Sequence, residues 1–203
     1  MGTISLDLFM TLDGVYQGPG GADEDTSGGF TCGGWQAAFA DAESGAAIMS
    51  GINRMDALLL GRRTYDIFAG YWPLRGDSNP IADKFNSMDK FVVSRTLDNA
   101  SWDGTTVLAA GEEAAQLKDH YKEIHSVGSG DLAGSLLAAG ILDRLNLFVY
   151  PITLGTGKRI FSGDGGVPAA FTLAEPPQVF PSGVLRLVYD RTGEPVTGLD
   201  AGS

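Results

Sequence analysis

Three apolar runs in this chain each end in a turn built from glycine, serine or arginine, and they restrict the folds open to it. They are "DALLLGRRTYDIF" (56–68), "DKFVVSRTL" (89–97) and "EIHSVGSGDLAGSLLAAG" (123–140). The first and third pass straight from the turn into a helical pattern; in the third, Leu132, Leu136 and Leu137 are the apolar positions and Gly140 stands as the C-terminal cap. Fully apolar strands separated by helices predict a mostly parallel sheet covered on both faces.

The flanking segments extend this reading. "TISLDLFMTLDG" alternates Ile4, Leu6 and Leu8 with smaller or polar residues and reaches the Asp13-Gly14 turn pair. Residues 17–35 form a glycine-rich stretch without periodicity, a length that inside a compact domain marks a lid or binding loop. From Trp35, the spacing of Phe39, Ala42, Ala46 and Met49 predicts one amphipathic helix. The last fifty residues, "RLNLFVYPITLGTGKRIF" and "FTLAEPPQVFPSGVLRLVYDR", read as strands joined by glycine and proline turns, antiparallel at one edge. No repeat or linker divides the chain. It reads as a single α/β domain over residues 1–203, with about 193–203 a frayed tail.

Composition narrows the function classes. A net charge of −11 argues against a nucleic-acid surface, and no apolar run is long enough to span a membrane. No leader is expected at the N-terminus, which lacks a basic segment. The single cysteine, Cys32, leaves no internal disulfide and no cysteine-based zinc site. A cytoplasmic location is the expectation. Against this acidic background Arg62, Arg63, Arg75 and Arg95 gather within one stretch, as an anion site would require.

"GSGDLA" (128–133) fits a loose G-x-G-x-x-A pattern. The usual dinucleotide fingerprint wants an acidic residue at the end of the next strand, and Tyr150-Pro151 stands there instead. In a parallel sheet, however, ligands sit at the carboxyl ends of the strands. Three such ends carry "GRRT", "SRT" and "GSGD". A glycine turn opening a helix suits a pyrophosphate, and two arginine-bearing ends suit a further phosphate. A dinucleotide with a 2′-phosphate needs both, which points to NADPH.

These segments, followed by "VYPITLGTGKRIF", resemble the dihydrofolate-reductase-like superfamily. The similarity is greatest to its branch of C-terminal reductase domains from the riboflavin-biosynthesis bifunctional deaminase/reductase, over roughly Thr3 to Asp190. The resemblance implies a central sheet of about eight mostly parallel strands flanked by helices, with an antiparallel C-terminal edge, and bound NADPH. It places Gly61, Arg62, Arg63 and Thr64 in a first cofactor motif. Ser94, Arg95 and Thr96 fall in a second, against the adenosine 2′-phosphate. Gly128, Ser129, Gly130, Asp131 and Leu132 form the glycine turn. Met10–Gly14 corresponds to the segment beneath the nicotinamide, and "LGTGKRIF" to a loop bordering the substrate pocket. The deaminase motifs H-x-E and C-x-x-C do not occur in the sequence.

The candidate proton donors are Asp13, Asp41 and Glu43. The candidate pocket residues are Trp35, Trp72, Lys158 and Arg159. Of the adjacent Arg62 and Arg63, one is expected to point away, because neighbours at i and i+1 do not share a helix face. His120 is expected on a polar helix surface and His125 as a satisfied strand residue. No metal is expected, since Asp23–Asp25 is too short for a calcium loop. The expected activity is NADPH-dependent hydride transfer to a C=N or C=O carbon of a small heterocyclic or sugar-linked substrate. The alternatives are a non-catalytic NADP(H)-binding sensor or carrier, a decayed dimerisation module, and dihydrofolate reductase proper. A homodimer is expected.

Overall fold

The structure is a computed structural model that describes residues 1–76, 79–161 and 167–200. Of the tail expected to fray, residues 194–200 carry no regular structure and Ala201–Ser203 lie outside the described residues.

Nine strands form one sheet: β1 (Thr3–Thr11), β2 (Ala57–Gly61), β3 (Asp89–Val93), β4 (Thr105–Leu108), β5 (Glu123–Val127), β6 (Arg144–Tyr150), β7 (Ala170–Leu173), β8 (Gln178–Val179) and β9 (Leu185–Gly193). Their spatial order is β4-β3-β2-β5-β1-β6-β9-β7, with β8 pairing to β9. β1 to β6 run parallel to one another, and β7, β8 and β9 supply the antiparallel edge. The antiparallel character therefore begins one strand later than the sequence suggests. β6 lies parallel to β1 through seven register pairs and meets β9 antiparallel on its other side.

The helices are α1 (Ala42–Arg54), α2 (Arg62–Tyr71), α3 (Pro80–Ser87) and α4 (Gly130–Ala138). On one face, Ile4, Leu6 and Leu8 of β1 join Leu59, Ile124, Leu145 and Leu147, beneath Leu132, Leu136 and Leu137 of α4. On the other face two apolar clusters form. Leu58, Leu60 and Val92 meet Ile52, Tyr65, Phe85 and Trp102, while Phe148 and Tyr150 meet Val15, Trp35, Phe180 and Val184. Leu58, Leu59, Leu60 and Ile124 are completely buried, as strands covered on both faces must be.

Two predicted helices differ from expectation. The pattern beginning at Trp35 divides into a 3-10 turn (Trp35–Phe39) and α1, because Ala40 and Asp41 adopt extended backbone. Asp41 is the N-cap, and its side chain accepts the Ser44 amide. A 3.6-residue spacing cannot reveal such a break when the capping residue falls on the polar face. Residues 111–119 form a 3-10 segment rather than an α-helix, with His120 exposed just past its end. Gly140, at φ +70°, ends α4: its own amide bonds to the Leu137 carbonyl and that of Ile141 to Leu136.

Candidate functional site

The three turns singled out in the sequence stand side by side along the carboxyl edge of the sheet, because β3, β2 and β5 are consecutive strands. Gly61 at the end of β2 is in register with Val93 at the end of β3, so "GRRT" and "SRT" leave the sheet together. The glycine turn is stitched to "GRRT" by two hydrogen bonds. The Gly61 amide donates to Ser129 Oγ at 3.0 Å, and the Ser129 amide donates to Thr64 Oγ1 at 3.2 Å. A Cβ on Gly61 would meet Ser129 and Leu132 at 3.5 Å, in ordinary van der Waals contact.

The turn itself is tight. Gly128 and Ser129 both take left-handed backbone, φ +66° and +51°, which serine tolerates only at a cost of about 1–2 kcal/mol. Gly130 opens α4 and lies against the Tyr16 ring, where a Cβ would come within 2.3 Å of the hydroxyl. Burial foremost, and then the charge of Asp131, raise the Tyr16 pKa above its ordinary value. The first-turn amides of α4, at Asp131 and Leu132, have no intrahelical acceptors and make this helix end suited to an anion. Leu132 contributes only backbone there, since its side chain is in the core.

The arginines divide as expected for adjacent residues. Arg62 turns back along α2 to Asp66 at 2.9 Å, whereas Arg63 reaches across to Ser27 Oγ at 3.0 Å. Ser94 is buried and its hydroxyl accepts the amides of Thr96 and Leu97, fixing the shape of "SRT". Arg95 and Thr96 are exposed, and Arg95 makes no ion pair among the described residues.

Two of the three candidate proton donors, Asp13 and Asp41, are held in hydrogen-bond networks. Asp13 is the hub between "MTLDG" and "LGTGKRIF": its carboxylate accepts from Thr11, the Leu154 and Gly155 amides and Arg159. The Thr11 hydroxyl above all, with those donors, holds its pKa far below the usual carboxylate range. Asp41 accepts from Ser182 at 2.5 Å and from Ser44, and these bonds lower its pKa to about 2. In both cases the surrounding donors favour the ionised form. Glu43 is exposed in the first turn of α1.

The candidate pocket residues are likewise engaged. Trp35 is buried against Tyr150 and donates from Nε1 to the Gln17 carbonyl. Trp72 sits in an aromatic cluster with Phe68, Tyr71 and Phe85. Lys158 pairs with Asp25, and Arg159 with Asp13. The glycine-rich stretch is closed down by buried Gln17, whose amide nitrogen donates to the carbonyls of Asp25 and Ser27 and whose oxygen accepts the Lys158 amide.

One polar cluster on the sheet escaped the sequence reading. Asp7 of β1 accepts from Asn146 at 2.9 Å and lies 2.5 Å from His125 Nδ1. No pattern marked it, since Asp7 falls where the alternation with Ile4, Leu6 and Leu8 leaves a polar position. Its partner could not be named without the sheet order.

The model of the RibD C-terminal domain matches residues 2–179. This chain belongs to that family. It is 29% identical over 203 residues to the uncharacterized protein YyaP of Bacillus subtilis, covering 94% of this chain and 95% of that one. Among solved structures it is similar to a putative riboflavin biosynthesis protein from Shewanella sp. PV-4 (17% identity, TM-score 0.65, 94% and 99% of the two chains). It is also similar to the Thermotoga maritima diaminohydroxyphosphoribosylaminopyrimidine deaminase/5-amino-6-(5-phosphoribosylamino)uracil reductase (13%, TM-score 0.61), with 94% of this chain matching 57% of that one. A dihydrofolate reductase from Enterococcus faecalis, complexed with NADP(H) and RAB-propyl, shares the fold at 16% identity and TM-score 0.56, over 94% and 96% of the chains. The fold is dihydrofolate-reductase-like.

Proposed function

We propose that this protein is an NADPH-dependent reductase acting on a C=N or C=O bond of a small heterocyclic or sugar-linked substrate. The observation that carries the reading is the row of three turns on consecutive strands, with Arg95 exposed and unpaired at one end and the glycine turn at the other. Family membership supports the reductase class.

In this reading the first-turn amides of α4 hold the pyrophosphate, and Arg95 with Thr96 and one of Arg62 and Arg63 holds the 2′-phosphate. The cofactor supplies a hydride when bound. The chain positions the reacting groups and excludes water, with Asp13 and Arg159 clamping the two loops that border the nicotinamide end. A homodimer belongs to the proposal, since Phe161, Leu173 and Val179 near the antiparallel edge are exposed; sedimentation showing only a monomer would remove it.

The test is fluorescence titration of NADPH and NADH on the wild type and Arg95→Ala. Binding in the range of about 1–100 μM is expected, with NADPH about tenfold or more tighter than NADH, a preference worth roughly 1.4 kcal/mol. The preference should vanish in Arg95→Ala. No binding of either nucleotide would overturn the proposal. Turnover with dihydrofolate or a ribosylaminopyrimidine separates an enzyme from a carrier.

A further inference from the structure

β1, β5 and β6 are neighbours, and their registers put Asp7 beside Asn146 and Ser5 beside His125. Paired residues of parallel strands point to the same face. The middle of this otherwise apolar sheet thus carries a polar patch between the two clusters on that face. His125 has a side chain only 3% exposed, and its Nδ1 is 2.5 Å from Asp7 Oδ2. Its Nε2 is buried without a hydrogen-bond partner, 3.5 Å from Glu123 Oε2. Ser5 Oγ, also unpartnered, is fully buried.

Asp7 differs from His125 in one respect: its side chain is 21% exposed. Two of its lone pairs are taken, by Asn146 and His125, and the partly exposed carboxylate keeps further acceptor capacity. It is also next to the cofactor turn. Asp7 pairs with Val127, the last residue of β5, and its carbonyl accepts the Gly128 amide at 3.1 Å. Unlike Asp13 and Asp41, whose oxygens take three or more donors each, it keeps acceptor capacity beyond Asn146 and His125.

We propose that Asp7 and His125 are the proton store of the reduction, His125 keeping the proton as an imidazolium and Asp7 passing it to the substrate. This rests on the reductase reading above. As hydride reaches the carbon of the C=N or C=O bond, the π pair moves onto the heteroatom. The His125 Nδ1 proton crosses to Asp7 Oδ2 and on to the heteroatom, so that Asp7 begins and ends the step as a carboxylate. The ring is left neutral with Nε2–H facing Glu123. After product leaves, water at the partly exposed Asp7 carboxylate returns one proton to the pair. Asp7 is the catalytic residue in this scheme, and His125 and Glu123 position and charge it. Burial opposes the imidazolium, yet Asp7 and Glu123, the charges that act on it, outweigh burial and raise the His125 pKa. The other groups facing it are Ser5 and Asn146, the apolar Leu58 from β2, and Arg144, which is itself paired with Asp190.

The sequence holds only two histidines, so 15N-detected NMR reads both directly. His125 is expected to remain doubly protonated to a higher pH than exposed His120, and to lose that advantage in Asp7→Asn. A neutral His125 at pH 7, or a titration unmoved by Asp7→Asn, overturns the proposal. A kinetic arm uses dihydrofolate and a ribosylaminopyrimidine. With either that oxidises NADPH, Asp7→Asn should lower kcat by about a hundredfold with NADPH affinity unchanged within about twofold. His125→Gln should lower kcat and move the alkaline limb of the pH profile downward. Full kcat in Asp7→Asn also overturns it, and if neither compound reacts the NMR arm decides alone. His125→Gln serves if Asp7→Asn does not fold. Wild-type NADPH titration separates this outcome from failure of the reductase reading, which would show as no binding at all.

Discussion

Lys90 is the most completely buried charge in the described chain, at 1% exposure, and the sequence offers no hint of why a lysine stands inside β3. Its ammonium donates to the carbonyls of Phe85, Asn86 and Met88 and lies 4.8 Å from the Trp102 ring centroid. It therefore closes the C-terminal end of α3 with three donors in place of a glycine cap. Burial lowers its pKa, the usual consequence of desolvating an ammonium. Lys90→Met keeps the volume and orphans three carbonyls, so a loss on the order of 3 kcal/mol is expected. Urea unfolding with an unchanged slope and a lower midpoint would confirm it; an unchanged midpoint would remove the capping role. The glycine turn was readable residue by residue because positive φ demands particular residue types. The bonds from Asp13 to Gly155 and Arg159 and from Asp41 to Ser182 were not, because those partners lie more than 140 residues away in sequence.

Among the elements, α1 shows most clearly how a functional expectation can give way to a structural one. Asp41 begins the helix, binds Ser44 and reaches Ser182, 141 residues away. Its folded pKa, about 2, is below the ordinary 3.8, so its contribution to stability is present above the ordinary value and is lost as pH falls toward 2. Asp41→Asn retains an acceptor at the N-cap but cannot titrate. The variant should lose less stability than the wild type between about pH 4 and pH 2, read from denaturation midpoints. An unchanged acid limb would show that the Ser182 and Ser44 bonds contribute nothing. The helix period around Trp35 was legible in the sequence, but the break at Ala40 was not. The Asp41 cap, which holds Ser44 locally and Ser182 from afar, accounts for the restart of the chain as α1 there.

At the scale of the whole molecule, three apolar clusters share one sheet, and Ile48 packs against both clusters on the same face. That sharing argues for a single cooperative unit. Trp35 belongs to one cluster and Trp72 and Trp102 to the other. Tryptophan fluorescence and far-ultraviolet dichroism should thus report coincident urea transitions, and a separated fluorescence transition would mean two domains. By itself the amino-acid sequence determined the class of sheet and the residues at its carboxyl edge, since burial on both faces writes continuous apolar runs and tight turns require glycine. Strand order is set by pairing between segments distant in sequence, β1 with β5 and β6 above all, which no local pattern records. Only the tertiary structure could bring the three turns into one row, join Asp13 and Asp41 to donors more than 140 residues away, and set Asp7 against His125.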